Sequence, residues 1–337
     1  MVRRGERRRG AAAQLAAAPR ELFRPMKRKF APSTVLGEEQ THEVHRLSMR
    51  ILSEIGLTFH AQSAWDTLEA NGCAVDRETG NVRFDPAAVE HFVAMAPGAF
   101  DMAARDSAKM VHFGGDSIVW GSASSAPNVL DQERGRRPGT GADFQELLRL
   151  GHMMPSLHVM GGHPVEPIDR PPNTRHLDSM FDWLTLSDKV LRVYGVGTTR
   201  VEDGLEMIKI GYGIDEAELN EVPHTMSVLN VNSPLLVDEP LLLGSIALAR
   251  RGQATIVSPV AMSGAMSPIT ASGSLIQHNA ETIGVSAYLQ MEVPGAPLFY
   301  GSLIAAVDMK SGAPAMGVPE VVTCLLYTSP SPRDLYR

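Results

Sequence analysis

The spacing of apolar positions divides the chain into two textures. Between Glu38 and Leu57, Val44, Leu47, Ile51 and Ile55 recur at helical spacing and Gly56 closes the pattern, which predicts a helix. A second helix is expected over Ala61 to Asn71, where Trp65 and Leu68 share a face and Gly72 is the stop. Val82 to Phe84 predicts a short strand. Pro86 to Ala96 predicts a third helix, opened by a proline whose missing N–H is no loss in a first turn. These segments form a mostly helical N-terminal extension, assigned to residues 31–110.

From about residue 117 the pattern alternates. Short apolar runs at Ser117–Gly121, His158–Gly162, Val190–Tyr194, Thr225–Asn230, Ala254–Ser258 and Pro297–Gly301 predict strands. Amphipathic stretches lie between them, at Asp143–His152, Thr174–Ser187, Val201–Gly211, Asp238–Arg250 and Ala271–Gln290. The step from strand to strand, roughly 30 to 40 residues, is that of a βα unit, and strict alternation implies a parallel sheet. Six strands suffice for an open doubly wound sheet, whereas a closed (β/α)8 barrel needs eight. Gly195-Val196-Gly197 runs on into Thr198-Thr199 and does not complete a G-x-G-x-x-G fingerprint. The expected class is therefore α/β, a (β/α)8 TIM-type barrel over residues 111–323, truncated after about six strands.

Composition narrows the function classes. The 337 residues are 44% hydrophobic and 20% charged, which excludes wholesale disorder. Runs of about 18 apolar residues, the length of a membrane span, are absent from the sequence. Ten basic residues stand against Glu6 and Glu21 within residues 1–30, and 21 basic against 36 acidic in the remainder. That acidic body argues against nucleic-acid binding, and the basic segment 1–30 reads as a disordered arm. Its alanine-rich stretch, interrupted by Gln14, is a poor signal peptide. Cys73 and Cys324 are too few for a disulfide framework or a cysteine zinc site, so a reducing cytoplasm is expected.

Residues 324–334 read CLLYTSPSPRD, a string that resembles the translation of a sequencing adapter. On that reading residues 324–337 are a non-native tail, Cys73 is the one genuine cysteine, and the natural protein continues past Thr323. The chain as written is then expected to be an inactive fragment.

Ligands of α/β folds sit at the C-terminal ends of the parallel strands. The residues gathered there are rich in hydroxyls and amides and poor in His, Asp and Glu, so no metal site is expected. His42-Glu43-Val44-His45 has its histidines three apart, not the four of H-E-x-x-H, and reads as a helix face. Ser263 lacks the G-x-S-x-G elbow of an activated nucleophile. His278 and Glu281 lie on a helix beyond the strand ends and read as structural. Trp120, Tyr194 and Tyr300 stand at or beside three strand ends. There they either line the barrel mouth, where rings can hold an ammonium by cation–π attraction, or pack in the core. His163 is either a base or a hydrogen-bonded loop histidine. The candidate substrate-binding set is Trp120, His163, Glu166, Tyr194, Asn230, Asn232, Ser263, Tyr300 and Ser302. The residues nominate no catalytic group.

Longer motifs carry a resemblance. APNVLD (126–131), GRRPGT (135–140), GGHPVEP (161–167), PPNTRHLD (171–178), NVNSPL (230–235), SGAMSPIT (263–270), QHNAE (277–281) and YGSLIAAVDMKSGAPAMGVPE (300–320) resemble the trimethylamine methyltransferase superfamily. The resemblance implies a (β/α)8 barrel that takes a methyl group from a methylated amine, either a quaternary amine such as glycine betaine or trimethylamine. The implied acceptor is the Co(I) of a separate corrinoid protein, so no cofactor binds this chain directly. The pyrrolysine that marks trimethylamine-specific members would fall beyond Pro319-Glu320, so its presence is left open, as is a homo-oligomer. Two other classes stay open: a barrel lyase with its metal or phosphate site in the missing part, and a non-catalytic methylated-amine binder.

Overall fold

The computed structural model describes residue 23 and residues 26–31, 34–308 and 310–315. Most of the basic arm, Pro319-Glu320 and the tail 324–337 lie outside the described residues. The described end of the arm departs from the expected disorder: Met26–Lys27 pair antiparallel with Ser117–Ile118, and Phe23 stands edge-on to the His158 ring at 5.4 Å.

Helix α1 (Glu38–Arg50) runs into one π turn, Ile51–Ile55, and stops at Gly56, whose φ of 88° favours glycine. Strand β1 (Leu57–Phe59), helix α2 (Trp65–Ala70), strands β2 (Ala74–Asp76) and β3 (Asn81–Arg83), and helix α3 (Pro86–Val93) follow. The extension is thus less helical than its sequence suggests. The three strands form an antiparallel sheet that Leu236–Val237 joins in parallel with β1. Strands of three residues are too short for a period-2 pattern to register in a sequence. The extension shares one core with the rest of the fold: Leu52, Phe59 and Phe84 lie in the same buried cluster as Leu229, Val257 and Ile283.

The second texture folds largely as its alternation predicts. Helices α4 (Gly141–Met153), α5 (Arg175–Leu186), α6 (Thr198–Tyr212), α7 (Glu239–Arg250) and α8 (Ala271–Glu292) alternate with strands β4 (Val159–Met160), β5 (Val190–Arg192), β6 (Thr225–Val231), β7 (Ala254–Ser263), β8 (Leu298–Tyr300) and β9 (Leu303–Val307). The strands pair in parallel in the order β4, β5, β6, β7, with β8 and β9 both on the long β7. Gly121 adds a parallel bridge to Val159, and Pro314–Ala315 closes the far edge antiparallel to β9.

Side chains alternate across this sheet, as the pleat requires. Leu191, Val193, Leu229, Val231 and Leu298 enter the buried clusters shared with the helices. Val190, Met226, Ala254 and Phe299 point to the opposite, concave side. There a hairpin, Phe100–Met102 with Val111–Phe113, covers the N-terminal end of the sheet, its Phe100 and Phe113 rings 5.1 and 4.8 Å from Phe299. With that end covered, the C-terminal strand ends are the accessible side of the concave face.

Helix α7 passes close to the loop after β5. A Cβ on Gly244 would stand 2.1 Å from the Gly195 carbonyl oxygen. Gly244→Ala is therefore expected to destabilise the fold by about 1–3 kcal/mol through overpacking, although alanine suits a helix interior better by about 1 kcal/mol. Urea denaturation of the variant measures this, and unchanged stability would mean that α7 shifts freely.

Candidate functional site at the strand ends

The loop after β4 is shaped by the segment that precedes it. Ser122 donates its N–H to the Val159 carbonyl (3.1 Å) and Ser125 its N–H to the His163 carbonyl (2.6 Å). The Glu166 N–H bonds to the Ala126 carbonyl at 2.8 Å. This zipper leaves few options for the loop and fixes where His163 and Glu166 point.

Those two side chains meet Tyr194, two residues past the end of β5. The Tyr194 hydroxyl donates to Glu166 Oε2 at 3.0 Å, and His163 Nδ1 lies 3.0 Å from the same hydroxyl and 3.3 Å from Oε2. The His163 ring is buried, edge-on to Tyr194 (4.3 Å) and Phe144 (5.2 Å), with Trp183 at 4.9 Å. Helices α4 and α5 supply Phe144 and Trp183, so the cluster rests on the helix layer. Burial pushes the His163 pKa down despite the Glu166 carboxylate, so the imidazole is neutral at pH 7. It then donates from Nδ1, while Nε2 finds no partner among the described residues. For Glu166, burial acts upward, but its hydrogen bonds to His163 and Tyr194 win and hold the carboxyl below its ordinary value. Burial and that carboxylate push the Tyr194 hydroxyl up, keeping it protonated.

The structure thus brings together three of the nine candidate residues. Asn230 is exposed on the concave side of β6, in line with Met226. Trp120 is 53% exposed, and its N–H is held by His158 Nδ1 at 2.9 Å. Asn232 is exposed, its backbone paired with Leu236. Ser302 is half-buried in the break between β8 and β9. Ser263 and Tyr300 face the helix layer: Ser263 Oγ lies 2.8 Å from Ser274 Oγ, and the Tyr300 hydroxyl donates to Asn279 Oδ1 at 2.8 Å, both on α8.

One residue the strand-end reading passed over is Arg192, inside β5. Its parity matches Val190, so it projects to the concave side, where Nη1 donates to the Gly161 carbonyl (3.2 Å) and Ser124 Oγ (3.3 Å). A charged residue on the core-facing side of an apolar strand was the available signal. Arg192, Glu166 and Tyr194 line a common cavity of about 20 Å³, room for one water. A larger apolar cavity, about 1050 Å³, lies apart from them, between α1 and the start of α8. His42, Glu43 and Val44 of the His42–His45 motif line it, and Glu43 is taken by Arg46 at 2.6 Å.

Among the described residues, no group of three or more His, Cys, Asp or Glu is placed to hold a metal, and no helix is long and apolar enough to cross a membrane. Cys73 is buried and its thiol is pushed up to about 12, which makes it unreactive at neutral pH.

Comparison with known proteins decides the family. The family model for trimethylamine methyltransferase (MTTB) matches residues 3–333. The chain belongs to the trimethylamine methyltransferase family. It is 33% identical to a glycine betaine methyltransferase of Desulfitobacterium hafniense (strain Y51) over 297 residues, 88% of this chain and 61% of that protein. It is 26% identical to trimethylamine methyltransferase MttB of D. hafniense (strain DCB-2), covering 84% of this chain and 57% of the relative. The corresponding figures for MttB1 of Methanosarcina mazei are 25%, 84% and 58%. The chain therefore spans about three fifths of the length of these relatives.

Proposed function

We propose that this chain carries the substrate side of a methyltransferase that takes a methyl group from a methylated amine, within a fold that closes as a (β/α)8 barrel. The observation that carries the reading is the convergence of Glu166, Tyr194 and His163 at parallel strand ends in a member of this family. Glu166 supplies a negative charge, held in place by the Tyr194 hydroxyl, beside an open concave face, which suits an alkylammonium.

Loss of a methyl breaks one C–N bond and leaves the electron pair on nitrogen, so a quaternary ammonium departs as a neutral amine and needs no general acid. The Co(I) of a separate corrinoid protein supplies the nucleophile, and the open strand ends, with Asn230 and Leu303 exposed, leave room for a second protein there. This chain's own residues position the ammonium and exclude water from it, with Glu166 opposing the positive charge until that charge is lost. A reducing cytoplasm suits such chemistry.

The test is methyl transfer, assayed with a reduced corrinoid protein and either glycine betaine or trimethylamine. Dimethylglycine or dimethylamine, detected by mass spectrometry, is the expected product. Binding without demethylation would favour the binder, and a metal requirement the lyase.

A further inference from the structure

We propose that His163 is a positioning residue that makes the cation site sensitive to pH. As a neutral imidazole it fixes the Glu166 carboxylate, and on taking a proton it cancels that carboxylate's charge and releases a bound ammonium. The proposal rests on the methylated-amine reading above and adds the regulation of that site.

The first step is which ring nitrogen carries the hydrogen. Nδ1 lies 3.3 Å from each Glu166 oxygen and 3.0 Å from the Tyr194 hydroxyl, whose own hydrogen goes to Oε2. Nε2 has no partner among the described residues. A hydrogen on Nε2 would be stranded and would turn the Nδ1 lone pair toward a carboxylate, so the hydrogen sits on Nδ1. Exposure then divides the roles. The His163 side chain is 4% exposed and that of Glu166 22%, so a ligand on the concave face reaches the carboxylate and not the imidazole. His163 acts through Glu166.

A second proton would go to Nε2, among the rings of Phe144, Trp183 and Tyr194 and with no acceptor among the described residues. The imidazolium would stand 3.3 Å from both carboxylate oxygens, where water screens little, and Glu166 would offer an approaching cation no net charge. Glu166 favours this proton, while Arg192 of β5 and Arg170, itself paired with Asp182 of α5, oppose it. Arg175 bears on Glu166, and His176 of α5, which lines a small cavity with Tyr194 and Trp183, is paired with Asp203 of α6 at 2.8 Å. Burial, reinforced by the two arginines, puts the protonation of His163 below the ordinary imidazole value of 6.5. A bound ammonium and the His163 proton thus compete for one carboxylate. Cation affinity is level while the ring is neutral and falls as the pH drops through its pKa, by at most about tenfold per pH unit for one proton.

The experiment is calorimetric titration of this chain with tetramethylammonium, which has no titrating group, at pH 8, 7, 6 and 5. Wild-type affinity should hold from pH 8 to 7 and be about tenfold lower at pH 5. His163→Asn places an amide N–H where the Nδ1–H stood and takes up no proton. It should cost less than about tenfold at pH 7, within the net worth of one hydrogen bond, and its affinity should then stay level to pH 5. His176 and the arginines are common to both proteins, so the difference between the two profiles belongs to His163. Nitrogen-15 NMR of labelled histidines, assigned by the signal lost in His163→Asn, should show the neutral Nδ1–H tautomer in the wild type at pH 7. Far-UV circular dichroism at each pH checks that both proteins are folded. An Nε2–H tautomer would overturn the proposal. If tetramethylammonium binds and the two affinity profiles run parallel, the role of His163 alone fails. If tetramethylammonium does not bind at pH 8, the methylated-amine reading fails with it.

Discussion

Glu281→Leu is expected to cost the folded chain at least about 3 kcal/mol, whereas Glu281→Gln costs far less. Glu281 is fully buried in α8 and accepts three hydrogen bonds: Ser233 Oγ at 2.6 Å on Oε2, and Leu235 N–H at 2.8 Å and Gln277 Nε2 at 2.9 Å on Oε1. Leucine would strand three buried donors, each costing about 1–3 kcal/mol. Glutamine can keep its carbonyl oxygen on Leu235 and Gln277 and donate its amide to the Ser233 oxygen, whose hydroxyl rotates to accept. Burial raises the Glu281 pKa, so replacing the carboxyl by a neutral amide also removes a charge that the three donors only partly compensate. The socket holds the loop after β6, which carries Asn232 at the strand ends. Urea denaturation of both variants at pH 7 reads the contrast, and comparable losses for Leu and Gln would mean that side-chain shape, not donor satisfaction, fixes that loop.

This socket also shows what the sequence could and could not convey. NVNSPL and QHNAE stood out as two separate motifs of the family resemblance, yet Ser233 and Leu235 of the first bind Glu281 of the second. GRRPGT is likewise structural: Arg137 grips Asp143 with two bonds of 2.5 Å, and Thr140 caps α4. A long motif marks a family without distinguishing a packed socket from a site. Helices α4 to α7 were legible from apolar positions recurring over several turns, and α8, which is buried on nearly every side, from its length. Strand β7 was read as ending at Ser258, since Pro259 breaks the pattern, but it continues to Ser263. The hairpin Asn128–Asp131 with Gly135–Pro138 escaped notice because strands of four residues, with only Val129 and Leu130 apolar in the first, are too short for a period-2 pattern to register.

For the site, individual residues were legible but their grouping was not. His163 and Glu166 follow one apolar run and Tyr194 ends another, and only the parallel pairing of β4 with β5 brings them together. Tyr300 was an equally good candidate on position alone. Its place in the pleat decides otherwise, because Leu298 and Tyr300 share the helix-facing side while Phe299 faces inward. The same parity, applied to Val190, puts Arg192 on the concave face. Collecting only the residues after each run missed it.

The chain should lose stability steeply as pH falls below 6.5, and His278 should account for a large share of the loss. His278 is fully buried in α8, its nearest aromatic neighbour being the Tyr300 ring at 5.8 Å, and neither ring nitrogen has a hydrogen-bond partner among the described residues. Burial pushes its pKa down to about 3, against 6.5 for the ordinary imidazole. Between those values the unfolded chain binds a proton that the folded chain refuses, so folding weakens by about 1.4 kcal/mol per pH unit for this group. Above pH 6.5 both states are neutral and the contribution is flat. His163, His152 and His224 are pushed down by burial as well, and each steepens the slope in the same direction. His278→Leu isolates the effect. At pH 8 the variant should be at least as stable as the wild type, because the imidazole N–H it removes has no acceptor among the described residues. At pH 4.5 it should be ahead by a further ~3 kcal/mol, two pH units of proton linkage. Urea midpoints measured for both proteins at pH 8, 6.5, 5.5 and 4.5 give that difference directly. Parallel stability curves would mean that His278 accepts its proton in the folded state, and that α8 admits solvent or a counter-charge at a position where the fold shows neither.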